Sequence, residues 1–257
     1  MIAELADRAV IAVSGPEARA FLQGLVTNDV EKIAPGRPAY AALLTPQGKI
    51  LFDFLIAEGE GGLLIDVRRA SREALVKRLT MYKLRAKVKI TPRDDLAVFW
   101  GERQDAFADP RLAALGPRAI AARQDAPDGS AAYLARRLDL GVPEGGDFGS
   151  DRIFALDAGL DELHAIAFDK GCYVGQELTA RMKHRGTARK RLLVIATKDG
   201  TPLPDDASVT ANGLEIGTLT GAYGPRGFAL IRLDRLNGPL EAGGVPLNVT
   251  KPDWLSP

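Results

Sequence analysis

The chain has 257 residues, 46% of them hydrophobic and 26% charged, with a formal net charge of +1 and one cysteine. This length can bury a core without covalent staples and fits one large domain or two modest ones, while the composition excludes wholesale disorder and the charge excludes a global pull toward nucleic acid or an anionic membrane. A lone cysteine excludes an internal disulfide and any four-thiolate metal site built by one chain, and no apolar run approaches the roughly 20 residues of a membrane span.

Ala9–Val13 is a short apolar run that reads as a strand, and Ser14-Gly15-Pro16 reads as a helix start. Ala18, Phe21, Leu22 and Leu25 then recur at helical spacing, which predicts a helix from Pro16 to about Val26. Tyr40–Leu44 and Ile50–Ala57 flank Thr-Pro-Gln-Gly-Lys, a hairpin signal, and Leu63–Val67 supplies a third strand. A helix over Arg72–Tyr82 and strands near Lys87–Ile90 and Ala97–Trp100 follow. This rhythm predicts an α+β domain with a mostly antiparallel sheet and no dinucleotide fingerprint. Asp105–Gly149 reads as loop-heavy, Ile153–Leu160 as a short helix, and Gln176–His184 as a longer one. Beyond Arg191 the texture changes to short strands at Leu192–Thr197, Leu214–Thr220, Phe228–Leu233 and Pro246–Thr250, the pattern of a small β-barrel or sandwich. The domains are therefore expected as 1–186 and 187–257, with the boundary near Thr187. The N-terminus lacks the look of a secretory signal or a mitochondrial presequence, so a bacterial cytoplasm is the expected compartment.

One segment concentrates chemistry: Lys170-Gly171-Cys172-Tyr173-Val174-Gly175-Gln176-Glu177. Its two glycines permit a tight turn and a close backbone approach. A helix beginning near Gly175–Gln176 and the Lys170 ammonium would both favour a Cys172 thiolate. Glu177 would lie in the first turn of that helix. The same residues also fit a buried structural cysteine beside a glycine turn. His184, one of two histidines, follows Cys172 by twelve residues and offers a possible Cys–His pair. Arg181, Lys183, Arg185, Arg189, Lys190 and Arg191 form a local run of cations, able to meet an anionic tail, an acidic partner or simply solvent.

The motif resembles the signature of the YgfZ-type folate-binding proteins, relatives of the glycine-cleavage aminomethyltransferases that assist iron–sulfur cluster assembly and repair. Phe21–Val30, Thr45–Ile50 and Tyr82–Val88 are similar to further blocks of that family, in order. The resemblance implies two interlocked ferredoxin-like antiparallel units, a GcvT-like folate-binding fold, followed by a small C-terminal β-barrel. It implies tetrahydrofolate or a derivative as ligand, with Lys170, Gly171, Tyr173, Gly175, Gln176, Glu177, Asn28, Asp53 and Arg181 as binding residues. Glu177 would accept the paired N–H donors of the pterin, and Tyr173 would pack beside the ring. Asp53 stands where the transferases carry an acidic pair, of which Phe52 replaces one member. That departure speaks against glycine-cleavage activity.

The resemblance makes Cys172 the functional thiol of an accessory factor that acts on clusters in other proteins. One cysteine cannot hold a cluster, so no metal is expected on the chain alone and Cys172 would share one with a carrier or client protein. The expected partners are a reduced folate and such carrier or client proteins, with no direct nucleic-acid binding, no membrane, and a monomeric chain. The alternatives are a folate-dependent one-carbon transferase and a non-enzymatic module that binds RNA or protein through the cation run.

Overall fold

The computed structural model describes residues 2–186, 189–204 and 207–256. The elements are β1 (Ala3–Glu4), β2 (Arg8–Ser14), α1 (Ala18–Gln23), β3 (Ala39–Leu44), β4 (Ile50–Gly59), β5 (Gly62–Arg68), α2 (Arg72–Lys83), β6 (Lys89–Pro92) and β7 (Leu96–Trp100). They continue as β8 (Arg118–Ala122), α3 (Ser130–Leu140), α4 (Gln176–Arg185), β9 (Lys190–Thr197), β10 (Ser208–Ala211), β11 (Leu214–Tyr223), β12 (Arg226–Arg232), β13 (Leu240–Ala242) and β14 (Val245–Thr250).

Five strands form one antiparallel sheet in the order β3-β4-β5-β2-β6, and three form another in the order β1-β7-β8. The chain thus enters the smaller sheet at β1, leaves it for the larger one through β6, and returns at β7. The larger sheet is one contiguous stretch, β2 to β6, inserted between β1 and β7 of the smaller one, which is what interlocks them. Side chains alternate across the larger sheet: in β3, Ala41 and Leu43 join the core beneath α1 and α2, while Tyr40, Ala42 and Leu44 join the core shared with the second sheet and the 138–173 region. Both faces are buried, and for that reason these strands read as nearly continuous apolar runs.

The last six strands close into a barrel, β10-β11-β12-β9-β14-β13, around Leu193, Ile195, Val209, Ile231 and Leu247. The expected boundary residue Thr187 lies outside the described residues.

Several expectations need correction. The first helix spans only Ala18–Gln23, because its C-cap Gly24 ends it and Leu25 and Val26 turn back to donate to the Leu22 carbonyl. The supposed loop region 105–149 holds β8 and α3, whose periodicity is broken by buried Arg118 and Arg137. Residues 153–160 form turns, not a helix. The barrel has six strands where four were expected, since β10 and β13 are only four and three residues long.

Between the two sheets, α3 and the barrel lies a buried network of charge. Glu144 meets Arg111 at 2.6 Å and Arg8 and Arg137 at 3.4 Å each. Arg8 also pairs with Asp66 at 2.6 Å, Arg111 with Asp109 at 2.7 Å, and Arg137 with Asp147 at 2.8 Å. Burial alone would raise the Glu144 carboxyl, but Arg137, Arg8 and Arg111 hold it well below the usual carboxylate range. Tyr223 of the barrel donates its hydroxyl to Asp147, so one polar cluster spans the sheets, α3 and the barrel.

Candidate functional site

Residues 165–175 cross one edge of this frame and are fastened at both ends. At the start, Thr27 donates its hydroxyl to the Ala165 carbonyl at 2.6 Å, and the Ala167 N–H donates to the Thr27 carbonyl. At the end, Gly175 has φ +86°, and a Cβ there would stand 2.6 Å from the Thr45 carbonyl oxygen. Only glycine lets the chain pass that closely over the Thr45–Lys49 hairpin. From it α4 begins, with Thr179 donating its hydroxyl back to the Gly175 carbonyl.

Lys170 and Tyr173 anchor the middle. The Lys170 ammonium donates to the carbonyls of Gln23, Val26 and Asn28, at 2.8, 2.8 and 2.7 Å. These are carbonyls at and just after the end of α1, where a helix leaves acceptors unpaired. Burial pushes this lysine down to about 8, so it remains charged at neutral pH, as donation to three carbonyls requires. Tyr173 is buried in the main core, with the Lys170 nitrogen 5.3 Å from its ring centroid. Between the two anchors, Gly171 and Cys172 face solvent, and Cys172 is a free thiol. The loop therefore presents the only thiol of the chain on a rigidly tied turn.

The residues expected to hold a folate do not converge. Lys170 has no donor left for a ligand. Tyr173 lies in the core and offers no open ring face. Glu177 is 87% exposed at its side chain and pairs with Arg181 at 2.9 Å, one turn along the surface of α4. Gln176 opens α4 and is half-buried, its N–H bonded to the Tyr173 carbonyl. Asn28 is consumed internally: its amide donates to the Tyr40 and His164 carbonyls at 2.7 Å each, and its oxygen accepts from the Asp29 N–H.

Asp53 is 4% exposed on β4 and accepts from Tyr40 Oη at 3.0 Å and the Gly145 N–H at 2.8 Å. Burial, together with the Glu144 charge, raises its carboxyl above the ordinary value. It belongs to the polar cluster and not to the Cys172 loop. These positions do not fit a pterin clamp.

One cavity does border the expected site. About 350 Å³ in volume, it is lined by Asn28, Lys32, Arg37, Tyr40, Pro110 and His164 among others. Its size suits a small molecule.

Half of the expected cation run is paired with acids. Arg181 pairs with Glu177, Lys183 with Asp161 at 2.8 Å, and Arg191 with Glu162 at 3.0 Å. His184 makes no hydrogen bond to Cys172 among the described residues.

The sequence reading missed the neighbouring Phe168, which is 42% exposed beside the thiol loop with the Lys183 nitrogen 5.7 Å from its ring centroid. It also missed the acid pair Asp161–Glu162, whose Oδ1 and Oε2 are buried without a donor. An acidic dipeptide next to an apolar run was the available signal for that pair.

Comparison with known proteins places this geometry. The family described as the GCVT N-terminal domain matches residues 2–119, and the C-terminal beta-barrel domain of CAF17 matches residues 189–257. A crystal structure of glycine cleavage system aminomethyltransferase T from Bartonella henselae superposes with a TM-score of 0.74, covering 98% of this chain and 85% of that one at 17% identity, which establishes the fold. The expected GcvT-like architecture with a C-terminal barrel is therefore present.

The mitochondrial iron–sulfur cluster assembly factor IBA57 of Mus musculus is 33% identical over 97% of this chain and 84% of its own length, and that of Homo sapiens is 32% identical over the same shares. The Coccidioides immitis homologue is 34% identical over 80% of this chain and 59% of its own. These relatives are named IBA57 and not YgfZ, so the resemblance seen in the motifs holds at the level of the superfamily and of cluster assembly. All three are named as mitochondrial, which overturns the expected bacterial cytoplasm. At this identity and coverage, the chain belongs to the IBA57 family of iron–sulfur cluster assembly factors.

Proposed function

We propose that this protein serves iron–sulfur cluster assembly by presenting Cys172 to a cluster held by a carrier or client protein. The observation that supports it is the contrast within four residues: Lys170 and Tyr173 are buried, while Cys172 between them is exposed and free. A structural cysteine would be buried, as free cysteines usually are. On meeting a cluster, the Cys172 sulfur takes one iron position by displacing a cysteine thiolate of the partner, which takes up the proton that Cys172 gives up; the partner keeps the remaining ligands, because one thiolate cannot hold a cluster alone. The cluster is cargo, passed with no change in the protein's own oxidation state.

The test mixes purified protein with a cluster-loaded carrier and follows the visible spectrum and complex size. Wild type should form a mixed, cluster-containing complex and Cys172→Ser should not. Equal complex formation by both would remove the thiol from the reading.

A reduced folate is the second part of the proposal, and it rests on the 350 Å³ cavity beside Asn28 and not on the pterin clamp. Arg37 on its lining suits a carboxylate of a glutamyl tail, whereas Lys32 beside it already pairs with Asp29 and Asp169. Titration with tetrahydrofolate checks it. Binding that Arg37→Ser weakens supports the cavity, and absent or unaltered binding eliminates it. No step of cluster transfer is routed through the folate.

A further inference from the structure

The protein is nearly neutral, and some of its exposed cations sit in ion pairs, among them Arg93 with Asp95, Arg103 with Asp105, Arg123 with Glu4, Arg226 with Asp139 and Arg232 with Asp234. One region stands out by how few acids accompany its cations. Over residues 72–93, covering α2 and β6, Glu73 is the only acid. Lys77, Arg78, Lys83, Arg85, Lys87 and Lys89 fall there, and none of the six is in an ion pair among the described residues.

The same region carries the two most prominent exposed apolar side chains of its end of the molecule, Met81 at 60% and Leu84 at 88%. Leu84 caps α2 with φ +45°, a conformation that glycine adopts more easily. Neither burial nor backbone preference accounts for a leucine there. It stands exposed at the helix end, flanked in the chain by Lys83 and Arg85.

We propose that the end of α2 and the start of β6 form a reversible contact with an anionic lipid surface. Leu84 and Met81 enter the headgroup layer, and the six cations meet lipid phosphates. The whole-chain charge of +1 hides this, because the pull is local. Three features favour a bilayer over other anionic partners. Four of the six cations are lysines, a residue depleted in protein–protein interfaces. The patch has no exposed aromatic on which a nucleic-acid base could stack, Tyr82 being half-buried. Its apolar residues are exposed at the helix end, where a soft headgroup layer accepts them without a matching pocket.

The experiment is flotation of the full chain with vesicles of phosphatidylcholine alone and of phosphatidylcholine mixed with an equal part of phosphatidylglycerol. The protein should float with the mixed vesicles only, and salt should release it. A Lys83→Glu, Arg85→Glu, Lys87→Glu variant should bind roughly 100-fold more weakly, at about fivefold for each cation removed from an anionic surface. Leu84→Gly suits the positive-φ backbone, so it should fold as wild type does and still bind several-fold more weakly. Equal binding to both vesicle types, or unchanged binding by the triple variant, would overturn the proposal. So would loss of contact with a purified acidic carrier protein in the same variants without any vesicle binding, which would assign the patch to a protein. Cys172→Ser should float as wild type does, separating this contact from the thiol.

Discussion

Replacing Lys170 with methionine tests the idea that this residue builds the thiol loop and does not bind a ligand. The side chain keeps its length and loses its charge and three donors. Each charge-assisted bond to a carbonyl contributes roughly 2 kcal/mol. Against their sum stands the cost of burying the ammonium: the fall from 10.5 to about 8 corresponds to about 3 kcal/mol. Methionine escapes that cost but leaves the carbonyls of Gln23, Val26 and Asn28 without the ammonium. The net loss is about 3 kcal/mol, or a fall of about 6–12 °C in Tm for a chain of this size. Arginine should not rescue it, because a planar fork cannot aim at three carbonyls as an ammonium does. Urea unfolding gives the stability, and amide hydrogen exchange shows where protection is lost, which should be residues 23–28 and 165–174. Cluster handover should fail although Cys172 is intact. A Lys170→Met protein within about 0.5 kcal/mol of wild type, or one whose exchange quickens elsewhere, would refute the reasoning.

Glu144 should be the costliest single acid to remove: Glu144→Ala leaves Arg8, Arg111 and Arg137 facing each other in a buried space, a loss of roughly 3–5 kcal/mol by denaturant unfolding. Gly175→Ala forces a Cβ to within 2.6 Å of the Thr45 carbonyl oxygen at φ +86°, and should destabilise by at least about 2 kcal/mol while disabling the thiol loop. Thermal unfolding across pH should show the acid pair. Burial, with Asp161 beside it, raises Glu162 from 4.5 to about 7, so the folded protein holds a proton that the unfolded chain has released between those values. That contribution is complete below pH 4.5 and gone once pH passes about 7, and Asp157, raised by burial to about 6, acts in the same direction. Tm should therefore decline from pH 5 to 8. Glu162→Gln should flatten most of the decline, since its amide can donate to Asp161 at any pH; an unchanged slope would exclude the pair as its source.

Strand and helix types in the first hundred residues follow from apolar periodicity, because a sheet buried on both faces leaves long runs such as Ala39–Leu44. The same logic fails where arginine sits inside the core. Arg118 and Arg137 look like surface residues to any pattern of polarity, and only their partners Asp66, Asp109, Glu144 and Asp147, none of them at a helix or strand spacing that marks a pair, make their burial possible. Asp66 within Leu-Leu-Ile-Asp-Val was a legible hint, since an acid amid an apolar strand needs a buried counter-ion. The cation run 181–191 failed for the opposite reason: its members are adjacent in sequence, but Asp161 and Glu162 arrive from another loop to neutralise two of them. The motif around Cys172 reads as one unit in the sequence and forms one tied loop in the structure, while the roles within it could not be separated, because a buried anchor and an exposed thiol can be neighbours in the chain.

That separation is what the fold supplies. A thiol that must meet a cluster on another protein has to project without searching for its orientation, and a short loop cannot be both exposed and ordered unless something beneath it pays the conformational entropy. Here the cost is met by groups that never touch the partner: the Lys170 ammonium on three carbonyls, the Tyr173 ring in the main core, and Gly175 pressed against the hairpin. The resemblance makes all three of these residues ligand contacts, because they accompany the cysteine so closely. Their anchoring role gives a different reason for the company: on the proposed role of the thiol, changing any one of them should abolish function as thoroughly as changing Cys172, but with a loss of stability that the exposed cysteine, once replaced by serine, does not show.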